Sequence, residues 1–320
     1  MNVLLITSKS DVTTDFIVRE LKSQHITFYR LNTEEIGSSV QLSLNIKEQK
    51  YLIIDQLSSP PINLLEVTSV YFRRPEIKSN FDEVSPGELN FLRSELAFSL
   101  EGLYKILRNA FWINTVDDIR KAENKIYQLM LAQEIGFKVP ASIITNQPAN
   151  ALDFYIANRQ SCIIKPIKSG LIENGIEEGI IFTSKLTLNE DIVDRIFGCP
   201  VFIQQLIEKE ADVRITVVGQ RLFAAKIHSQ ITDESSIDWR KASSPLPHSP
   251  IDLPQNIIDQ CLELTRRLNL NFGAIDMVLD TKGTLFFLEI NPNGQWAWIE
   301  RKLNFPIAKA ITELLIEKAA

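Results

Sequence analysis

Three cysteines, three histidines and a small excess of acid over base remove several function classes before any residue is placed. Cys162, Cys199 and Cys261 are scattered, odd in number and without metal-ligand spacing, so they read as ordinary buried thiols of a cytoplasmic protein. No apolar run is long enough to span a bilayer. The opening MNVLLITSKSD has no basic leader, and its apolar run is too short for a signal peptide. With 34 Lys and Arg against 40 Asp and Glu the net charge is −6, which argues against a general nucleic-acid binder. The first strand is not followed by G-x-G-x-x-G, so the dinucleotide fingerprint is missing. There is no internal repeat, no low-complexity tract, and no side chain that stands out as a covalent nucleophile.

What is present is an ordinary globular composition. At 320 residues and 45% apolar content the chain is long enough for two or three lobes. Residues 2 to 8 read as a strand, Thr13 to Ser23 as a helix and Ile26 to Leu31 as a second strand, a β-α-β opening. Short strands near 40–46, 51–55 and 67–72 extend that sheet. Ser85-Pro86-Gly87-Glu88 is a capping box with proline at the first helical position, and it opens a helix to about Leu107. A lobe boundary near Thr115 precedes one helix, from Thr115 or Val116 to Gly136, that carries Lys121 and Lys125. Glu208-Lys209-Glu210-Ala211 reads as a turn between strands at 200–207 and 212–218. The fold class is α/β in the first part and α+β in the rest.

Gly273 to Gly294, GAIDMVLDTKGTLFFLEINPNG, is the most informative stretch. A tight turn at Lys282-Gly283 pairs Thr281 with Thr284, Asp280 with Leu285 and Asp276 with Glu289. The period of two returns Asn291 to the same face. Two carboxylates so close are costly to desolvate unless a cation or a proton intervenes. Oxygen ligands without His or Cys suit a hard cation such as Mg2+, shared with phosphates. The alternative is an exposed acidic edge, against which Ile275, Met277, Phe287, Leu288 and Ile290 argue for a buried sheet.

Four basic residues extend this reading. Lys165 closes the apolar run Cys162-Ile163-Ile164, which suits a lysine that reaches into a cleft toward phosphate. Asp212, Arg214 and Thr216 share a strand face; Arg214 either pairs with Asp212 or stabilises a phosphoryl group. Arg73 and Arg74 end a strand before Pro75, as a fork for carboxylate or phosphate, a solvated pair, or a salt bridge to a helix.

In the order Lys125, Lys165, QQLI (204–207), DVRITVVG (212–219), AIDMV (274–278) and LEINPNG (288–294), the chain resembles the ATP-grasp superfamily over residues 115 to 320. The resemblance implies an ATP-grasp fold: a Rossmann-like lobe at 1–114, a central lobe at 115–210 and a C-terminal lobe at 211–320 with the metal site. It also implies Asp276, Glu289 and Asn291 as ligands of Mg2+, with two ions, and Lys125 and Lys165 as contacts to ATP. Gln205, Leu206 and Ile207 match the hinge whose backbone meets adenine, although the family usually carries Glu where this chain has Gln205. Asp212 falls in the segment that reaches the ribose, and Arg214 matches an arginine near the γ-phosphate.

VYFRRP (70–75), SQ (229–230) and DWRK (238–241) are similar to the microviridin-type graspetide synthetases, ATP-grasp ribosomal peptide maturases. That likeness implies a precursor peptide with a leader and an acidic core as partner, with Arg73, Arg74 and Arg240 holding the core. It implies activation of Asp or Glu side chains as acyl phosphates, closed to lactone or lactam rings, with 168–179 as a lid against water. A glutamate-ligase-like enzyme adding an amino acid to a protein tail or small molecule stays open, as does a non-catalytic nucleotide-binding protein. A homodimer is the expected assembly.

Overall fold

The computed structural model describes residues 2–57, 60–77, 84–168, 170–173 and 178–318. The chain divides into two compact units. One holds Met1–Ile119, Asn269–Phe272 and Asn293–Ala320; the other holds Arg120–Leu268 and Gly273–Pro292.

The first unit begins with β1 (Asn2–Thr7), α1 (Val12–Ser23) and β2 (Thr27–Asn32). β3 (Val40–Asn45), β4 (Lys50–Asp55) and β5 (Ile62–Asn63) come next, then β6 (Ser69–Phe72), α2 (Pro86–Ile106) and β7 (Phe111–Trp112). Strands β2-β1-β6-β7 form a wholly parallel sheet. Parallel strands are covered on both faces, which is why Val3, Leu4, Leu5 and Ile6 run without a polar break and are buried. β3, β4 and β5 do not extend that sheet; they form an antiparallel sheet of their own. The short link between β3 and β4 suits a hairpin and cannot hold the crossover that a parallel neighbour needs. Val40 and Ile53 of this second sheet share one core with Leu4, Ile6, Leu31 and Trp112. The capping box at Ser85 and Glu88 forms with both of its hydrogen bonds.

The expected single helix after Thr115 is two, α3 (Val116–Ala122) and α4 (Lys125–Ile135). Asn124 is extended, and its side chain accepts from the Tyr127 amide, so it starts a new helix rather than continuing the old one. Gly136, at φ +94°, ends α4 as expected. β8 (Ser142–Thr145), α5 (Pro148–Ala157), β9 (Cys162–Lys165), β10 (Leu171–Glu173) and β11 (Glu178–Ile180) follow. β12 (Ser184–Lys185), α6 (Glu190–Val193) and β13 (Val201–Gln205) complete an antiparallel sheet ordered β12-β9-β13-β8. Its core is Ala151, Tyr155, Cys162, Leu188, Ile196 and Ile203. Of the expected lid, residues 169 and 174–177 lie outside the described residues; β10 and β11 within it pair antiparallel.

β14 (Lys209–Val218), β15 (Arg221–Ile227), β16 (His248–Pro250), α7 (Gln255–Arg267), β17 (Phe272–Asp280) and β18 (Leu285–Asn291) build the second sheet of this unit. Its order is β16-β15-β14-β17-β18, with the carboxylate hairpin at one end and β18 on the edge. The expected turn at Lys209 is the first residue of β14 instead. The chain ends in the first unit with α8 (Ala297–Leu303) and α9 (Ile307–Glu317). Cys162 and Cys261 are buried as expected, but Cys199 is exposed.

Candidate active site

Asp276 and Glu289 are direct partners across the β17–β18 hairpin, and Asn291 pairs with Ala274 two positions further along the same face. The route to that register differs from the expected one. Leu285 pairs with Leu279 rather than Asp280, and a bulge after Asp276 restores the count. The turn is wider than Lys282-Gly283 because the Asp280 carboxylate accepts from the amides of Lys282 and Thr284, with Gly283 at φ +80°. A bulge beside a site re-aims side chains and is a common feature there.

Basic side chains from two other elements contact the two carboxylates, and a lysine from a third acts on Glu289 through its charge. Asn124 starts α4 so that Lys125 is its first residue, and the Lys125 ammonium lies 3.2 Å from Glu289 Oε2 while donating to the Pro166 carbonyl at 3.0 Å. Arg214, on β14, donates through Nη1 to Asp276 Oδ2 at 2.8 Å. Its Nε is buried and has no partner among the described residues. Lys165 ends β9 opposite Phe202, whose ring its ammonium overlies at 5.9 Å. One turn along α4 from Lys125, Gln128 donates to the Ile290 carbonyl at 2.8 Å and accepts from the Ile290 amide at 3.0 Å. It thereby supplies an edge strand's missing neighbour at the residue between Glu289 and Asn291.

The electrostatics follow from this crowding. Burial drives Asp276 up to about 6; Arg214 opposes that and Glu289 adds to it. Burial works the same way on Glu289, but Lys125, Lys165 and Arg240 together hold it below the usual carboxylate range. Burial pulls the Lys165 ammonium down to about 8, against the attraction of Glu289. Among the described residues no group of three or more His, Cys, Asp and Glu is assembled. Two carboxylates and one amide oxygen are an incomplete, oxygen-only set, which fits a hard cation whose remaining positions go to phosphate and water.

Residues 2–120 match the family model of the MvdD pre-ATP grasp domain, and residues 122–315 match that of the RimK-like ATP-grasp domain. The chain belongs to the RimK-like ATP-grasp family. Among solved structures, this ATP-grasp chain is 28% identical to macrocyclase MdnC of Microcystis aeruginosa MRC bound with precursor peptide MdnA. The TM-score is 0.87, and the match covers 99% of this chain and 100% of that one. A RiPP-associated ATP-grasp ligase of Chryseobacterium gregarium, in complex with ADP and a leader and core peptide, is also 28% identical. Its TM-score is 0.90, with 100% of this chain and 97% of that one covered. A probable alpha-L-glutamate ligase of Shewanella halifaxensis (strain HAW-EB4) is 24% identical over 284 residues, 86% of this chain. The match spans only 57% of that curated relative's length.

The remaining expected site residues divide by geometry. Gln205 ends β13; its amide donates to Ala141 O at 2.8 Å, and the Leu206 amide donates to Ser161 O at 2.9 Å. Asp212 does not pair with Arg214: its Oδ2 takes the Lys209 ammonium at 2.6 Å, and both side chains are buried. Arg240 is half-exposed and forms a two-point bond to the buried Asp238, at 2.8 and 2.7 Å. In the first unit Arg73 takes the salt-bridge alternative. It is 2% exposed and bonds Asp11, Thr13 and the carbonyls of Asn293 and Gly294, so its guanidinium is not offered to a substrate. Arg74 is exposed, in the left-handed region at φ +44°. Sequence reasoning passed over Gln128, Lys209 and Asp238. Gln128 left a trace in its spacing of three from Lys125 on a helix, and Asp238 in its place at the head of DWRK.

Proposed function

We propose that this protein is an ATP-dependent ligase that activates Asp or Glu side chains of a ribosomal precursor peptide and closes them onto Ser, Thr or Lys side chains of the same peptide. The observation that carries the reading is the pair Asp276 and Glu289 bracketed by Arg214, Lys125 and Lys165, in a chain matched end to end by a macrocyclase at 28% identity. A carboxylate is a poor acyl donor because its leaving group would be oxide. When a substrate carboxylate oxygen attacks the γ-phosphorus of ATP, ADP leaves and an acyl phosphate forms. A hydroxyl or amine then attacks the acyl carbon, phosphate leaves, and the peptide has lost one water per ring.

In this reading Lys125 and Lys165 hold phosphate oxygens, and Arg214, with its buried Nε uncommitted, stabilises charge on the transferring group. The backbone of Gln205, Leu206 and Ile207, at the end of β13, would meet the base. Asp276, Glu289 and Asn291 would hold Mg2+, with two ions, which neutralises phosphate charge when bound. Arg240 and Arg74 remain the arginines to hold the acidic core; Arg73 is positioned to build its own unit. The division at 1–114, 115–210 and 211–320, the lid at 168–179, the homodimer and the cytoplasmic setting are parts of the same proposal. No helix among the described residues is long and apolar enough to cross a membrane.

The test is the mass of an acidic precursor peptide after incubation with enzyme, Mg2+ and ATP. ATP-dependent loss of one water per ring is the expected result. A gain of amino-acid mass, with that amino acid supplied, selects the second reading, which the glutamate-ligase relative favours. No mass change with several acidic precursors, while ADP still binds, overturns the precursor-peptide substrate and leaves the fold.

A further inference from the structure

The segment between Ser229 and Lys241 has no regular structure beyond two single turns of 3-10 helix, yet it is held at both ends by one buried ion pair. Lys209 and Asp212, at the start of β14, have side chains only 5% and 9% exposed and lie 2.6 Å apart. The Lys209 ammonium donates a second bond to the carbonyl of Ile237 at 3.1 Å. The Asp212 carboxylate also takes a side-chain hydrogen bond from Ser229. The two residues thus tie the first residue of the segment to the residue just before Asp238. Ser235 closes the loop internally, donating to the Ser229 carbonyl at 2.6 Å. Asp238 is 5% exposed and fixed by the Thr183 amide at 3.3 Å. It presents both oxygens to the Arg240 guanidinium, whose positive charge Asp238 stabilises first and the negative charges of Glu289 and Asp276 stabilise further.

We propose that Lys209 is a positioning residue for substrate recognition. The Lys209–Asp212 pair anchors the 229–241 segment and so aims Arg240 at the carboxylate site, and Asp212 serves this anchor rather than the nucleotide. The inference rests on the reading that Arg240 holds a carboxylate of the acidic peptide. A lone substitution is a poor test, since Lys209→Met leaves a buried carboxylate unpaired. The pair Lys209→Met with Asp212→Leu removes both charges together, a change that well-packed proteins tolerate.

Three readings of the full-length double variant decide the matter. Hydrogen exchange without substrate should rise in 229–241 and stay unchanged in α7. ADP affinity should stay within twofold of wild type. The KM for the acidic peptide should rise tenfold or more with kcat within threefold, and adding Arg240→Ala should raise KM no further than twofold. Unchanged exchange in 229–241, a peptide KM within twofold of wild type, or a tenfold loss of ADP affinity each overturns the anchor. If the wild-type enzyme leaves every acidic peptide unchanged, the proposed substrate fails. The exchange and ADP measurements then still decide whether the pair anchors the loop.

Discussion

Gln128→Met is the substitution whose outcome the geometry constrains most tightly. The wild-type amide donates to Ile290 O at 2.8 Å and to Ala122 O at 2.5 Å, and accepts from Ile290 N at 3.0 Å, all in a side chain 2% exposed. Methionine matches its length but neither donates nor accepts as an amide does. The Ile290 N–H and C=O are then left buried on an edge strand without partners, at about 1–3 kcal/mol each. A loss of about 2–6 kcal/mol is expected, a large part of the roughly 5–15 kcal/mol that holds a domain folded. Because Ile290 lies between Glu289 and Asn291, the ligand geometry should loosen as well. Losses of about 10–100-fold in metal affinity are usual when such a supporting bond is removed. Urea unfolding measures the first effect, and titration with Mn2+ in the presence of ADP measures the second. Gln133→Met, on an exposed position of the same helix, is the control and should change neither. If Gln128→Met unfolds earlier yet binds Mn2+ with wild-type affinity, the clamp supports the fold and not the ligands.

Three further outcomes are expected. Asp276→Asn or Glu289→Gln should abolish turnover with little change in thermal unfolding; near-normal activity in either variant removes the metal assignment. Lys165 loses its proton near 8, so the cationic form that attracts phosphate is present at pH 7 and mostly gone at pH 9. ADP affinity should therefore fall about tenfold across that interval, for one proton taken up on binding, and a flat profile would refute the contact. Gly273→Ala places a methyl 2.6 Å from Ile290 Cδ1, within the same hairpin. That crowding should cost about 1–3 kcal/mol in urea unfolding and be relieved by Ile290→Val; an unchanged midpoint shows that the strands pack more loosely than this.

The carboxylate pair was legible because alternation along a strand is a local rule. Even so, Asp276 and Glu289 were matched through two offsets that cancel, a turn one residue wider than expected and a bulge after Asp276. The break at Asn124 was missed because helix propensity on either side masks a cap that only its own backbone angles reveal. Lys209 and Asp212 are three apart, a spacing that ideal alternation assigns to opposite faces of a strand, so no periodicity argument joins them. Arg73 shows the same limit: Asp11 lies 62 residues away in sequence, and proximity at that separation is set by the parallel pairing of β1 and β6.

By itself the sequence determined the β-α-β opening, the capping box at Ser85, and an acidic hairpin face with no His or Cys beside it. These follow from periods of two and 3.6 and from side-chain chemistry, both of which are local. Only the tertiary structure decided which cation answers which carboxylate. Lys125 goes to Glu289, Arg214 to Asp276 and Lys209 to Asp212, while Arg73 is drawn inward to Asp11. The physical reason is that a buried charge needs a partner within a few ångströms, and packing, not sequence distance, determines which opposite charge is there.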